Sequence, residues 1–180
     1  KRVKKPFSDE ELERLKESAS TPKEKAVIAF LSTTACRVGE LVGVRIEDVN
    51  MQEREVKVFG KGGKERVTFF DAKTKIAIEN YLGTRSDDCP FLFVNDNSRE
   101  KHECTTGSIE RIVAKVGERA NVENAHPHRF RRTVATRAID RGMPIEQGKE
   151  LLGHSQIQTT MIYASVSKEN VKASHRRYVS

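Results

Sequence analysis

Cysteine is scarce in this 180-residue chain, and what there is lies scattered. Cys36, Cys89 and Cys104 form no CxxC pair and no disulfide framework. A reducing, cytoplasmic setting is therefore expected. No apolar run reaches the length of a membrane span, and no signal-peptide pattern is present. No internal repeat and no low-complexity segment interrupts the sequence. His126, His128 and His154 lack the spacing of a zinc site and have no cysteine nearby, and His102 with Cys104 is too sparse to hold a metal. The last absence is local. In "HPHRFRRT", residues 126–133, two histidines and three arginines surround Phe130, and no carboxylate follows until Asp140. That much positive charge must face something.

The rest of the composition suits one folded domain, or one with a small appendage. Hydrophobic residues make up 36%, enough for a real core. Lys and Arg number 33 against 26 Asp and Glu, giving a net charge of +7. The pI is about 9.4. This balance favours an anionic partner, nucleic acid foremost. The sequence opens on "KRVKKPFSDEE" without a Met. It reads as part of something longer, with a basic interdomain linker over 1–7.

Periodicity and capping residues predict a mainly α protein with a small antiparallel β-sheet, an α+β class. Ser8 followed by Glu11 is a capping-box pattern, which predicts a helix from about 9 to 19. "TPKEKAVIAFLSTTA" reads as a core helix with Pro22 in its first turn, and "CRVGELVGV" as a short one. "REVKVFG" and "KERVTFF" alternate with period two around "KGGK" and predict a hairpin. Further helices are expected over "DAKTKIAIENYLGTR", ending near Gly83, over "TTGSIERIVAKVGERA", from about His128 to Asp140, over "IEQGKELLG", and over "SQIQTTMIYASV". The last residues read as helical or loose.

On a helix from His128 to Asp140, Phe130, Val134, Ala135, Ala138 and Ile139 span one half of the wheel. Arg131 falls near the middle of that half and His128 close to its edge. An arginine inside an apolar stripe is expensive unless paired, so Arg131 needs an anion. His128 lies one turn away, near a helix N-terminus that welcomes anions. Phosphate fits. Arg129 and Arg137 point elsewhere and read as solvated or phosphate-touching charges. Arg37 has a similar oddity. In "VIAFLSTTACRVGELVGV" it and Glu40 are the only charges. They either pair with each other, or Glu40 orients Arg37 toward something else. Two half-hidden arginines and a histidine suggest a clamp for an oxyanion.

"GKGGK" at 60–64 is not a P-loop, because it joins two strands and lacks the spacing and the following Ser or Thr. As a hairpin turn it would project Lys61 or Lys64 on an arm. In "LLGHSQIQTTMIYA", Gly153 reads as a helix stop, His154 as exposed in the turn, Ser155 as a cap, and Tyr163 as lying on the following helix.

Taken in series, Arg37 in "TACRVGELVGV", Lys61 in "VFGKGGKERV", His128 and Arg131 in "HPHRFRRTVAT", and His154 and Tyr163 in "LLGHSQIQTTMIYA" resemble the catalytic domain of the tyrosine recombinases, or phage-type integrases. Order and spacing match across nearly the whole chain. Two positions depart from the pattern. Cys36 stands where Gly or Leu is usual, and Arg132 where His is common.

The resemblance implies a mostly helical catalytic domain over 8–166, a tail over 167–180 exchanged between subunits, and an N-terminal DNA-clamping domain outside this chain. It implies site-specific cutting and rejoining of DNA through a 3′-phosphotyrosyl intermediate, with no metal and no other cofactor. Implied partners are duplex DNA carrying attachment or recombination sites and further protomers of the same protein in a tetrameric synapse, with no membrane. The implied location is nucleoid-associated.

The implied roles are chemically coherent. Arg37 and Arg131 would neutralise nonbridging oxygens and stabilise the phosphorane-like transition state. Tyr163 would attack phosphorus, with His128 taking its proton. Lys61 would protonate the leaving 5′-oxygen. His154 would hydrogen-bond a nonbridging oxygen, and Glu40 would hold Arg37. Lys64, Arg129 and Arg132 are expected DNA contacts. Two alternatives stand beside this: strand relaxation of the type IB topoisomerase kind, and a DNA-binding module without catalysis.

Overall fold

In the computed structural model the chain is described over residues 5–96, 99–164 and 168–179. The first four residues of the expected linker, residues 165–167 at the domain–tail boundary and residue 180 of the tail lie outside the described residues.

The sequence signals at the helix starts are realised atom by atom. Helix α1 (Asp9–Ser18) opens at Ser8, whose Oγ accepts the Glu11 N–H while Glu11 Oε2 accepts the Ser8 N–H at 2.8 Å. Helix α2 (Pro22–Thr34) opens with the same reciprocal pair from Thr21 and Glu24. Buried Ala26, Val27, Ile28, Phe30 and Leu31 make α2 the central element, packed on α4 (Ala72–Gly83), α5 (Thr106–Arg119) and α6 (Pro127–Asp140). Asp71 and Thr105 cap α4 and α5. Between α2 and α4 lie the short α3 (Val38–Val42) and a three-stranded antiparallel sheet.

The sheet runs β1 (Val49–Asn50), β2 (Glu55–Phe59) and β3 (Glu65–Phe69). The hairpin was anticipated; the two-residue β1 was not, being too short to show a period. Its register pairs Val56 with Thr68 and Val58 with Arg66. Val56, Val58 and Thr68 face inward and are buried, while Val67 and Phe69 face out and are exposed.

The chain closes with α7 (Ile145–Leu152), α8 (Ile157–Met161) and α9 (Lys168–Tyr178). Helix α8 is shorter than its apolar pattern suggested, so Tyr163 sits in the turn after it rather than on it. Residues 171–179 of the tail are exposed.

One boundary needs correcting. Phe7, expected at the end of a linker, is a core residue: it is 3% exposed, its ring lies 4.8 Å from that of Phe130, and its N–H donates to Thr133 Oγ1 at 2.8 Å. An apolar ring following three lysines and a proline was read with its charged neighbours, but burial decided its place.

Candidate active site

The turn that ends α7 gathers the site. Gly153 caps α7 in the left-handed conformation, φ 61°, and presents the Leu152 and Gly153 carbonyls on one side. Arg131 reaches this turn from α6. Its Nη2 donates to the Leu152 carbonyl at 2.6 Å, and its Nη1 to the Ala35 carbonyl at 2.5 Å. Ala35 itself is left-handed, φ 55°, which aims that carbonyl out of the end of α2. Arg131 is therefore buried, 2% exposed, without a carboxylate on it. Burial first, and then the charge of Arg37, lower its pKa to about 10, so it stays a cation at neutral pH.

His154 follows. Its Nε2 lies 3.1 Å from Arg131 Nη2 and its Nδ1 lies 2.9 Å from Thr160 Oγ1. A guanidinium can only donate, so Nε2 must accept and the imidazole proton sits on Nδ1, directed at Thr160. Burial, then Arg131, Arg37 and Arg66, push the His154 pKa down to about 4, so the ring is neutral near pH 7.

Arg37 comes from the start of α3. Its Nη2 approaches the Gly153 carbonyl at 3.5 Å, and its side chain remains 44% exposed. Glu40, one turn along, is buried. Oε2 accepts the Arg37 backbone N–H at 2.8 Å and Oε1 accepts from Arg37 Nη1 at 3.2 Å. Glu40 thus does hold Arg37, yet its stronger partner is Arg66 of β3, with Nη2 to Oε2 at 2.7 Å and Nε to Oε1 at 3.3 Å. Burial opposes ionisation of Glu40. The hydrogen bonds from Arg66 and from the Arg37 backbone, with both guanidinium charges, outweigh it and hold the carboxyl below its ordinary range. Sequence reasoning missed Arg66.

Arg37, Glu40, Lys61, Lys64, Arg66, Gly153 and His154 line one cleft of about 630 Å³. The hairpin tip supplies both lysines. Its glycines Gly62 and Gly63 take φ of 77° and 72°, the left-handed region that lets so short a loop turn. Arg131 is not in the cleft lining and meets it through its contact with His154. Tyr163 is buried behind that, packed with Ala35, Ala135 and Leu152, its ring nearly parallel to that of His154 with centroids 6.4 Å apart.

Other expected site residues lie apart. His128 is exposed on the first turn of α6, stacked on His126 with ring centroids 6.5 Å apart, outside the cleft lining. Arg129 is turned inward onto the protein. It bonds the Lys5, Pro6 and Glu123 carbonyls, pairs with Glu11 at 2.7 Å and lies over the Phe7 ring at 4.1 Å. These contacts staple the incoming chain to α6 and leave little of Arg129 for a DNA phosphate. Arg132 is half-buried, with Nη1 enclosed and without a hydrogen-bond partner. Cys36, beside Arg37, is buried, and burial pushes its thiol up to about 11, so it is chemically quiet.

The family model for the phage integrase family matches residues 5–170, which takes in every element from α1 to α8 and the first residues of α9. The chain belongs to the phage integrase family. Among this integrase chain's relatives, the tyrosine recombinase XerA of Pyrococcus furiosus is 33% identical over 180 residues, covering 98% of this chain and 63% of the relative. The tyrosine recombinase XerC of Corynebacterium glutamicum is 35% identical over 152 residues, covering 83% of this chain and 48% of its own. The integrase chain thus spans roughly half to two thirds of the curated relatives it matches. The crystal structure of XerA recombinase superposes with a TM-score of 0.83 at 28% identity, covering 100% of this chain and 67% of that one. XerH site-specific recombinase, bound to its difH substrate, shares the fold, with a TM-score of 0.80 at 19% identity over 100% of this chain and 56% of that one. The mainly helical fold with its small antiparallel sheet is therefore the fold of this family's recombinases.

Proposed function

We propose that this chain cuts and rejoins DNA strands as a site-specific tyrosine recombinase, through a 3′-phosphotyrosyl intermediate. The observation that carries the reading is the convergence of Arg131, Arg37 and His154 on the turn after α7, with Tyr163 stacked behind His154. Such a pocket holds cationic donors in place before substrate arrives, which is how a site stabilises charge that develops on phosphoryl oxygens.

Arg37 and Arg131 would take the nonbridging oxygens. Tyr163 Oη forms the new bond to phosphorus as the bond to the 5′-oxygen breaks. His128, exposed and outside the cleft lining as the structure stands, would take the phenolic proton once α6 and the Tyr163 turn close on DNA, and Lys61 would deliver one to the leaving oxygen. His154 needs a further step. Its Nε2 now accepts from Arg131, so it can donate to a phosphate only after gaining a proton there. An anion in the clamp favours that gain, and Thr160 Oγ1 still accepts from Nδ1. Because the phosphotyrosyl bond conserves the energy of the phosphodiester, a 5′-hydroxyl can reverse the step without ATP. Lys64 and Arg132 remain in the proposed DNA-contact set; Arg129 has the weaker claim, because four of its five N–H donors already bond the protein. A synapse of four protomers, exchange of the tail between them, nucleoid association and an upstream DNA-clamping domain are finer parts of the same proposal. The basic net charge and the likeness to recombinases, one of them bound to DNA, support its DNA-binding part.

The test is covalent capture. The full polypeptide is incubated with a pool of random-sequence duplex DNA, and adducts surviving denaturation are isolated and sequenced. A DNA-linked band is expected that Tyr163→Phe loses while still binding duplex. A band of equal strength from Tyr163→Phe would sink the assignment. Exchange of strands between two captured duplexes separates recombination from relaxation.

A further inference from the structure

We infer that Arg66 is a positioning residue that fixes the hairpin carrying Lys61 against the two arginines of the clamp. The inference rests on the catalytic reading above and deepens it.

Arg66 is not itself a phosphate ligand. All three of its guanidinium nitrogens already have protein partners: Nε and Nη2 on Glu40, and Nη1 on the Leu151 carbonyl at 2.5 Å. Its side chain is only 11% exposed. What it does is join three elements that each carry a different member of the site. Its backbone belongs to β3. Its fork grips Glu40 of α3, whose carboxylate also takes the Arg37 N–H and Nη1. Its Nη1 grips the end of α7, one turn before His154. The contact there is close: a Cβ on Gly153 would stand 2.7 Å from Arg66 Cδ, so the turn bearing His154 lies directly on the arginine's stem.

Its place along the strand matters most. On the inward face, Thr68 comes first, donating to the Thr34 carbonyl at 2.6 Å, and Arg66 comes next, opposite Val58. Beyond Arg66, Glu65 and Lys64 are exposed. The loop is then closed by backbone bonds alone, the Gly60 N–H on the Lys64 carbonyl at 2.8 Å and the Gly63 N–H on the Gly60 carbonyl at 3.1 Å. Arg66 is thus the last inward anchor before the tip that holds Lys61. Lysine could not replace it, since an ammonium has no planar fork to span Glu40 and Leu151 together. Loss of the anchor should let Lys61 wander, and a misplacement of about 1 Å can slow a reaction on the order of a hundredfold.

A general-acid defect has a signature that general loss of structure lacks. An alkoxide leaving group needs a proton; a thiolate does not. The experiment measures single-turnover cleavage on a duplex selected by covalent capture, made once with oxygen and once with sulfur at the 5′-bridging position. Wild type, Lys61→Ala, Arg66→Gln, Arg66→Lys and Glu40→Gln are compared in the full polypeptide. Arg66→Gln and Arg66→Lys should each fall on the order of tenfold to a hundredfold on oxygen DNA, and should recover most of that on sulfur DNA, as Lys61→Ala does. Glu40→Gln, which loosens Arg37 as well, should recover only in part. If sulfur rescues Lys61→Ala but neither Arg66 variant, or if the Arg66 variants cut oxygen DNA at the wild-type rate, Arg66 does not position the acid. Should Arg66→Gln fail to fold, the same ratio read on Arg66→Lys decides. Failure of sulfur to rescue Lys61→Ala, or of wild type to form any adduct, overturns the catalytic reading itself, and the inference with it.

Discussion

Two packed regions of this molecule are built on opposite terms. The larger, around α2, is held by apolar area and rings: Phe30 meets Phe93 edge-on at 5.9 Å, Tyr81 stacks on Phe93 at 5.6 Å, and Phe7 tilts against Phe130 at 4.8 Å. The smaller comprises Ala35, Ala135, Leu152 and Tyr163, with Val134 and Ile139 at its edge. Little apolar surface closes it. Directed polar contacts do: Arg131 on the Ala35 and Leu152 carbonyls, His154 on Arg131 and on Thr160. Burial of hydrocarbon is indifferent to charge, whereas hydrogen bonds to a buried guanidinium respond to any anion that competes for it. Tyr163, the proposed nucleophile, belongs to this second region.

Substitutions in the two regions should therefore separate stability from activity. Phe30→Ala should have the largest effect, about 3–5 kcal/mol of global stability, read as a lower urea midpoint for the whole chain. Leu152→Ala removes about half as many side-chain carbons, and its loss should appear chiefly as faster amide exchange over 145–163 and slower cleavage, with a much smaller midpoint shift. Equal midpoint shifts for the two would mean a single cooperative core and break the comparison.

A sharper probe is Gly148→Ala. Its Cβ would meet Ile139 Cδ1 at 2.8 Å and Thr160 Cγ2 at 3.3 Å, wedging α7 off α6 and α8. Overpacking of about 1–3 kcal/mol is expected, confined to the small region, and limited proteolysis near α8 should detect it while α2 stays protected.

The smallest effect is that of pH. The folded pKa of His154, about 4, lies below the value of about 6.5 for an unfolded histidine. Between those values the unfolded chain holds more protons, so stability rises with pH across the window and is lost as pH falls from about 6.5 toward 4. His154→Gln should flatten that part of the urea-midpoint profile. An unchanged slope would show that His154 is not held neutral by Arg131.

Much of this arrangement is legible in the residues themselves. The helices with Ser, Thr or Asp caps begin where those residues stand, because a side chain that satisfies the first free N–H groups works locally. The burial of Arg131 follows from its place on the α6 wheel. Arg66 was hidden for a physical reason. In "KERVTFF" the alternation invites Val67 and Phe69 to face inward, yet they are exposed and Arg66 and Thr68 face in. The signal lay in the partner strand, whose Val56 and Val58 must be inward and whose register then fixes Arg66 opposite Val58. The depth of Tyr163, the position of His128 outside the cleft and the inward turn of Arg129 depend on tertiary contacts that no local pattern encodes.

The shared carboxylate of Glu40 has one more consequence, which appears when the site is treated as a set of fixed charges. Three guanidiniums, from Arg37, Arg66 and Arg131, stand around one carboxylate and a neutral imidazole. With Lys61 and Lys64 of the same cleft offset by Glu65 and Glu150, the excess is two positive charges. A phosphodiester in its resting state carries one negative charge, and the five-coordinate phosphorus that forms when a phenolate adds to it carries two. Under the proposed function the pocket would be overcharged for the ground state and balanced for the transition state. This is the inequality from which rate acceleration comes, since only what binds the transition state better lowers the barrier. Without Glu40 the excess would be three, and resting DNA would be gripped more tightly with no matching gain at the summit. In the proposed reaction the buried anion would act as ballast that keeps the clamp from holding its substrate too well.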